Sequence, residues 1–529
     1  MRAGPRARDP MTDSFGDYTP LRRTALTVCV MLAVVMQALD TTIANVALPY
    51  MQGSLSTTQD QINWVLTSYI VASAIMTGPI GWAATRFGRK RLFVACAAGF
   101  TLASMLCGLA QSIEQMVGFR LLQGVFGAGL VPLAQAVMLD IYPAEKRGSA
   151  MATFGMGVML GPIMGPTLGG WLTDSYSWRW VFYVNLPFGV LTAVGIALLM
   201  RETPTRRAPF NWLGFLSLSL GIGALQMMLD RGQDLGWFDA GEIVIEAILS
   251  VVGFYYFFAD AATTDRPFIP LQMFRDRNFA LANAMMFLNG MILLATMALL
   301  TPFLQTLQGY PVLTSGEMLG TRGIGTLCSM MVVGRLLNRG VDGRALMFVG
   351  WSIAIYSLWR MSGWTADTPG PMVIVNSVTQ GVGLGLVFVP LQTLGYATLP
   401  AEYRTYGAAM WTLIRNVGSS AGISLMIASL VNNTAVFHSQ LAERVTPFSD
   451  AMKLAEGAGT LSLTNGRGLA VLDGLVTQQA AAIAYANNFL IMAYVSLIGL
   501  PLILMFHVPK AAPAGPRART TPAHAAAGD

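Results

Sequence analysis

Charge is what this 529-residue sequence has least of: only 11% of its residues are Asp, Glu, Lys or Arg. A soluble globular chain carries roughly a quarter. With 54% of the residues hydrophobic as well, the chain has too little polar surface to face water on all sides, which excludes an ordinary soluble protein. Histidine and cysteine are scarce too. His438, His507 and His524 do not cluster, and Cys29, Cys96, Cys107 and Cys328 lie singly in apolar stretches. A metal centre or a redox motif needs close spacing of such residues, so neither is expected. No Gly-x-x-x-x-Gly-Lys-Ser/Thr segment is present, which argues against ATP as an energy source, and no nucleophile or cofactor motif points to an enzyme.

What the sequence has is long apolar runs. A helix that crosses a bilayer needs about 20 predominantly apolar residues, and such runs recur from residue 24 to residue 507. The pattern predicts an all-α polytopic membrane protein. Six spans fall within 24–200, two more at 211–229 and 243–260 within a 201–278 linker, and six within 279–507, the last two at 406–432 and 483–507. Between these last two lies a polar segment, 433–482, long enough for a small structure outside the membrane. Residues 1–23, polar and rich in Pro and Arg, read as a disordered tail and not as a signal peptide. Residues 508–529 read the same way.

Most of the 33 lysines and arginines fall in the tails and in alternate loops. Fourteen spans place both termini on one side, and the positive-inside rule assigns that side to the cytoplasm. Two arginines, Arg120 and Arg415, instead fall within spans.

The spans repeat. A shift of 253 residues superposes Pro49 and Gln52 on Pro302 and Gln305, and Gly81 and Arg86 on Gly334 and Arg339. A shift of 257 superposes Gln123-Gly124 on Gln380-Gly381, and Gly161 and Gly165 on Gly418 and Gly422. Spans 1–6 and 9–14 are therefore two related six-helix bundles with spans 7 and 8 inserted between them. Facing bundles of this kind enclose a cavity near the midplane, the arrangement alternating access needs. Candidates for its lining are Met36, Gln37, Asn45, Gln123, Met285, Met286, Asn289, Gln380, Trp411, Arg415 and Asn416.

Three motifs carry chemistry. The loop Gly81 to Arg91, with Gly81, Arg86, Gly88 and Arg89, permits a tight turn and offers a basic run to a carboxylate at a helix end. Asp140 is the candidate partner of Arg89. In span 4 Arg120 precedes Gln123-Gly124, and an arginine inside a span is costly unless it meets a carboxylate, backbone carbonyls or water. The comparably deep carboxylate is Asp40 of span 1. Burial favours the neutral form of a carboxyl group and a nearby cation the charged form, so movement of Arg120 would switch the protonation of Asp40. The competing reading is a static ion pair. In span 5, Gly157, Gly161, Gly165 and Gly169 recur every fourth residue, with Pro162 and Pro166 interleaved and Gly170 following. That face admits a neighbouring helix closely, and the prolines permit bending. Arg415, on span 13, has no acidic partner in view; recognition of an anionic substrate and bonding to backbone carbonyls are both open to it.

These residues resemble the major facilitator superfamily, specifically its fourteen-span drug:proton antiporters of the EmrB/QacA type. The loop motif, the Arg120 motif, the span 5 glycines and prolines, Leu39-Asp40-Thr41-Thr42-Ile43 and Ser177-Trp178-Arg179-Trp180-Val181-Phe182-Tyr183-Val184-Asn185 carry the likeness. Gln478-Gln479-Ala480 and Ile483-Ala484-Tyr485 at the end of the outer segment look closer to the Gram-negative EmrB branch. The resemblance implies the major facilitator fold and export of hydrophobic or amphipathic compounds in exchange for protons. No bound cofactor is implied, and the proton gradient is the energy source. It also implies an inner-membrane location, with a periplasmic adaptor protein and an outer-membrane channel as partners. The sequence departs from the family at Thr85 in the loop motif, where Asp is frequent, and at Asn487-Asn488, where acidic residues are frequent. An exporter of one endogenous metabolite, fatty acid or siderophore, or an uncoupled facilitator, would share the fold.

Overall fold

The computed structural model describes residues 18–143, 146–206, 209–445 and 466–507. Among them the chain is helical throughout, with no strand. Hydrocarbon offers no hydrogen-bond partner, so a crossing segment must satisfy its own backbone. Helix starts are set at the polar boundaries. Thr19 caps α1 (Pro20–Ser54), whose first residue is proline. Thr58 and Gln61 form a reciprocal cap on α2 (Gln59–Thr77), and Ser112 caps α5 (Ile113–Gly127).

The first bundle is completed by α3 (Ile80–Phe87), α4 (Arg89–Leu109), α6 (Leu130–Ile141), α7 (Arg147–Ser175), α8 (Trp180–Tyr183) and α9 (Asn185–Leu199). Then come the inserted pair, α10 (Trp212–Arg231) and α11 (Gly241–Thr263). The second bundle comprises α12 (Arg277–Pro302), α13 (Val312–Asn338), α14 (Gly343–Met361), α15 (Gly370–Gly395), α16 (Arg404–Ala442), α17 (Gly466–Leu497) and α18 (Gly499–Leu504). Helix overlaps each predicted span, with two-residue breaks at 78–79 and 128–129. Among the described residues ten helices are long and apolar enough to cross a bilayer, or twelve if each of two bent pairs counts as one crossing. One pair is α2 with α3, bent by 56°, and the other is the two arms of α7, bent by 42° between Gly165 and Thr167.

Three expectations from the sequence change. The first helix begins at Pro20, four residues before the predicted boundary. The polar segment 433–482 is not a separate structure where it is described, because α16 and α17 run out into it as continuations of their spans. His438 and Asp473 join these extensions at 3.0 Å. Arg322 joins Arg120 and Arg415 as an arginine within a span, since it lies inside α13 and is buried. The predicted disordered tails fall outside the described residues, but for residues 18–23, of which those from Pro20 onward form the start of the first helix.

The halves pack alike. In the first, the glycine face of α7 lies on α1; in the second, Gly418 and Gly422 of α16 lie on α12. A Cβ at Gly161 would overlap the Ala38 carbonyl, and one at Gly165 would overlap Thr42. The Thr42 hydroxyl donates to the Gly161 carbonyl at 3.0 Å across this seam. The inserted α10 touches α2 of the first half and α16 of the second, where Gln226 donates to Ser420 Oγ at 2.8 Å. Large apolar side chains such as Leu198, Val251 and Tyr255 stand on the outside, as a lipid-facing surface requires.

Overpacking a tight helix seam typically costs about 1–3 kcal/mol. Gly165→Val is therefore expected to lower the melting temperature of the detergent-solubilised protein. Gly170→Ala, at a position with open space around it, is expected to leave it unchanged; equal effects would show that the seam does not have this packing.

Candidate functional site

Between the halves lies a cavity of about 1400 Å³, walled mainly by α1, α2, α7, α12, α13 and α16. At one end its lining continues to exposed residues, among them Tyr50, Trp171 and Asp174. Toward the end that carries the basic loops it stops at buried Val131, Val158 and Phe388. The cavity thus opens away from the basic end.

Arg120 and Asp40 meet in its wall. Arg120 Nη1 donates to Asp40 Oδ2 at 2.7 Å, and both side chains are almost wholly buried. The rest of the cluster comes from α1, α2, α4, α5 and α9. Gln123, one turn after Arg120, donates Nε2 to Asp40 Oδ1 at 2.7 Å and accepts from Arg120 Nη1 at 2.8 Å. Asn185 donates to the same Asp40 oxygen at 3.1 Å and to Ser104 Oγ at 3.0 Å. Arg120 Nε donates to the Val65 carbonyl at 3.0 Å, and its guanidinium stacks over the Tyr69 ring at 4.4 Å. Tyr69 OH accepts in turn from Gln37. A buried pair survives only when its remaining donors and acceptors are met, and here Asp40 accepts three bonds.

The glycines of α7 hold this carboxylate in place from outside. Gly161, Gly165 and Gly169 press on Ala38, Thr42 and Ile43, the residues that bracket Asp40 on α1, and Gly157 presses on Met31. Gly170 differs from them: nothing lies against it, and it lines the cavity. The side chains of Pro162 and Pro166 lie outside the described residues.

At the basic end the halves are bolted together. Asp140, at the end of α6, pairs with Arg89 of the loop motif and, at 2.6 Å, with Arg404 from the start of α16. One carboxylate therefore joins both halves. Beside it the Tyr406 ring of α16 covers Gly81. Gly88 takes φ +90°, a conformation open to glycine, and turns the chain into α4. The Glu202 carboxylate accepts from the free backbone N–H groups of Lys90 and Arg91 at 3.0 and 3.2 Å, as an acid at a helix N-terminus does. Arg86 is exposed and joins no ion pair among the described residues.

Of the predicted lining, Gln37, Asn45, Met286, Asn289, Arg415 and Asn416 face the cavity, and Arg120 does as well. Met36, Met285 and Trp411 do not; they are packed into the apolar core. Gln123 belongs to the Asp40 cluster and Gln380 is buried behind the wall. Sequence reasoning assigned no role to Asn185, Tyr69, Glu202 or Arg404. A polar residue inside an apolar span was the available signal for Asn185, but Arg404 lies in an ordinary basic loop. Among the described residues no group of His, Cys, Asp and Glu could hold a metal ion.

The sequence pattern of the Major Facilitator Superfamily matches residues 30–423. The chain is 34% identical to the fatty acid resistance protein FarB of Neisseria gonorrhoeae over 93% of this chain and 98% of that protein. It is 32% identical to the multidrug export protein EmrB of Escherichia coli K12 over 93% and 96%. Among solved structures, the human organic anion transporter MFSD10 superposes with a TM-score of 0.59 at 14% identity, covering 92% of this chain and all of that one; this likeness concerns the fold.

A buried charge-assisted bond is worth about 1.5–3 kcal/mol, enough to shift a two-state population tenfold or more. Arg404→Ala is expected to loosen the basic end. In a chain whose four cysteines are replaced, Val131→Cys should then react several times faster with a maleimide added from that side, and an unchanged rate would count against the bolt.

Proposed function

Since the chain belongs to the major facilitator superfamily, in its EmrB-type branch, we propose that it exports hydrophobic or amphipathic compounds of several kinds in exchange for protons. It is a transporter and not an enzyme, a multi-pass protein of the inner membrane whose substrates are small molecules. The observation that carries proton exchange is the Asp40 carboxylate, bonded to Arg120 in the wall of the cavity. Its neighbours Gln37, Ala38, Thr41 and Thr42 line that cavity directly, so a change of charge at Asp40 acts on the helix that touches the substrate.

With the basic end in the cytoplasm, both termini lie there and the cavity of this state faces outward. A proton entering from that side neutralises Asp40 and frees Arg120 from its carboxylate. The α1–α7 seam then shifts, the Asp140 bolt opens and the cavity turns inward. Loss of the proton to the cytoplasm restores the pair as substrate is taken up, and the proton gradient supplies the energy. Fourteen crossings in two bundles and an inserted pair fit this scheme. An adaptor protein and an outer-membrane channel are proposed as partners, with the extended α16 and α17 as the surface an adaptor would meet.

A second reading is favoured by the similarity to FarB: export of one dedicated compound, such as a fatty acid, by the same cycle. An uncoupled facilitator leaves the buried Asp40 without a role.

In everted vesicles energised by a proton gradient, Asp40→Asn is expected to abolish substrate-induced dissipation of the gradient and to reduce accumulation at least tenfold, with the protein still inserted. Dissipation and accumulation equal to wild type would contradict proton coupling through Asp40.

A further inference from the structure

Arg415 is the second arginine in the cavity wall, and it is held quite differently from the first. Arg120 is neutralised by Asp40. The one hydrogen bond of the Arg415 side chain among the described residues runs from Nη2 to Asn416 Oδ1 at 3.3 Å, and that partner is neutral. Asp174 is the remaining charged residue of the lining, but it stands at the exposed mouth, where it accepts from Tyr50 OH at 2.6 Å. The interior of the cavity therefore holds one positive charge that the protein does not compensate.

The fold itself aims Arg415 inward. With the shift of 257, Arg415 and Asn416 correspond to Val158 and Met159, which line the cavity from α7. At equivalent places one half presents two apolar side chains and the other a guanidinium and an amide. Gly290 of α12 lies against the Arg415 stem, with no side chain to displace it. The same half holds a second guanidinium, on α13. Arg322 is buried, with Nε and Nη2 unpartnered and Nη1 3.4 Å from the Leu293 carbonyl of α12. No acidic side chain is buried among the described residues of this half. Two uncompensated cations in a low-dielectric wall make the field of that side positive.

We infer that the cavity selects amphipaths with an anionic, carboxylate-type head, and that Arg415 binds the head. The planar fork of arginine matches the two oxygens of a carboxylate. Asn416 and Asn289 stand beside it as further polar groups of the lining, and the apolar part of the ligand lies toward Val131, Val158 and Phe388. The inference rests on the export reading above and adds the charge of the compound and the residue that reads it. The two halves then divide the work: the first carries the carboxylate for the proton, the second the cation for the cargo.

Three ligands with one tail and different heads test this on the full-length protein in lipid nanodiscs at about pH 8, where a carboxyl group is ionised. They are radiolabelled dodecanoate, dodecanol and dodecyltrimethylammonium, with binding to empty discs subtracted. Dodecanoate is expected to bind tightest. Arg415→Gln should weaken it about tenfold or more while leaving dodecanol within about twofold, and Arg415→Lys should restore part of the preference. Dodecanoate binding unchanged in Arg415→Gln, or tightest binding by dodecyltrimethylammonium, overturns the inference but leaves export of amphipaths standing. Binding of none of the three by the wild type overturns both. Should Arg415→Gln lose every ligand, Arg415→Lys decides: a retained preference for dodecanoate over dodecanol supports the inference and its loss overturns it.

Discussion

The ion pair between Asp40 and Arg120 is the constraint around which the first half of the molecule is arranged. Two charges removed from water cost several kcal/mol each unless their bonds are complete, and completing them recruits Gln123, Asn185, the Val65 carbonyl and the Tyr69 ring. These groups belong to α5, α9 and α2: the Asp40 carboxylate ties α1 to α5 and α9 directly, and Arg120 carries the link on to α2. The glycine face of α7 completes the enclosure, since only a side chain as small as glycine lets the helix approach the backbone on either side of Asp40. Such an arrangement is expensive to build, and neutralising Asp40 would leave Arg120 without its partner, which is what the proposed coupling site needs.

The repeat explains the scaffold and leaves the chemistry to the differences between its copies. Both halves pack a glycine-bearing helix on their first helix, and both turn the same positions toward the cavity. Yet Asp40 corresponds to Leu293, Tyr69 to Arg322, and Val158 to Arg415. The first half pairs its buried cation with a carboxylate, and the second carries Arg322 and Arg415 without one among the described residues. The bolt at Asp140 shows the same economy, with one carboxylate serving an arginine from each bundle.

Much of this was legible in the sequence because a membrane simplifies the physics. Apolar runs can be little but helices, charged loops give the orientation, and a deep Arg120 demands a carboxylate, for which Asp40 was the candidate. The likeness to EmrB-type transporters was legible for the same reason: its motifs are the charges and glycines that a bilayer tolerates only for cause. Rotational detail was not legible. Met36 lies one residue from Gln37, yet one enters the core and the other the cavity. A helix turns 100° per residue, and a span that is apolar all round gives no sign of which side faces water. Arg322 was not counted among the arginines inside spans, although it falls within the run that forms α13. Arg404 was overlooked because its partner lies 264 residues away, across the interface between the bundles.

In the proposed cycle substrate in the cavity and the proton on Asp40 are thermodynamically linked, and linkage is measurable without transport. The purified protein in weakly buffered solution should release about one proton for each substrate molecule bound, as binding favours the ionised carboxylate paired with Arg120. Asp40→Asn is expected to bind substrate and release none. No proton release by the wild type, or equal release by Asp40→Asn, would contradict the linkage.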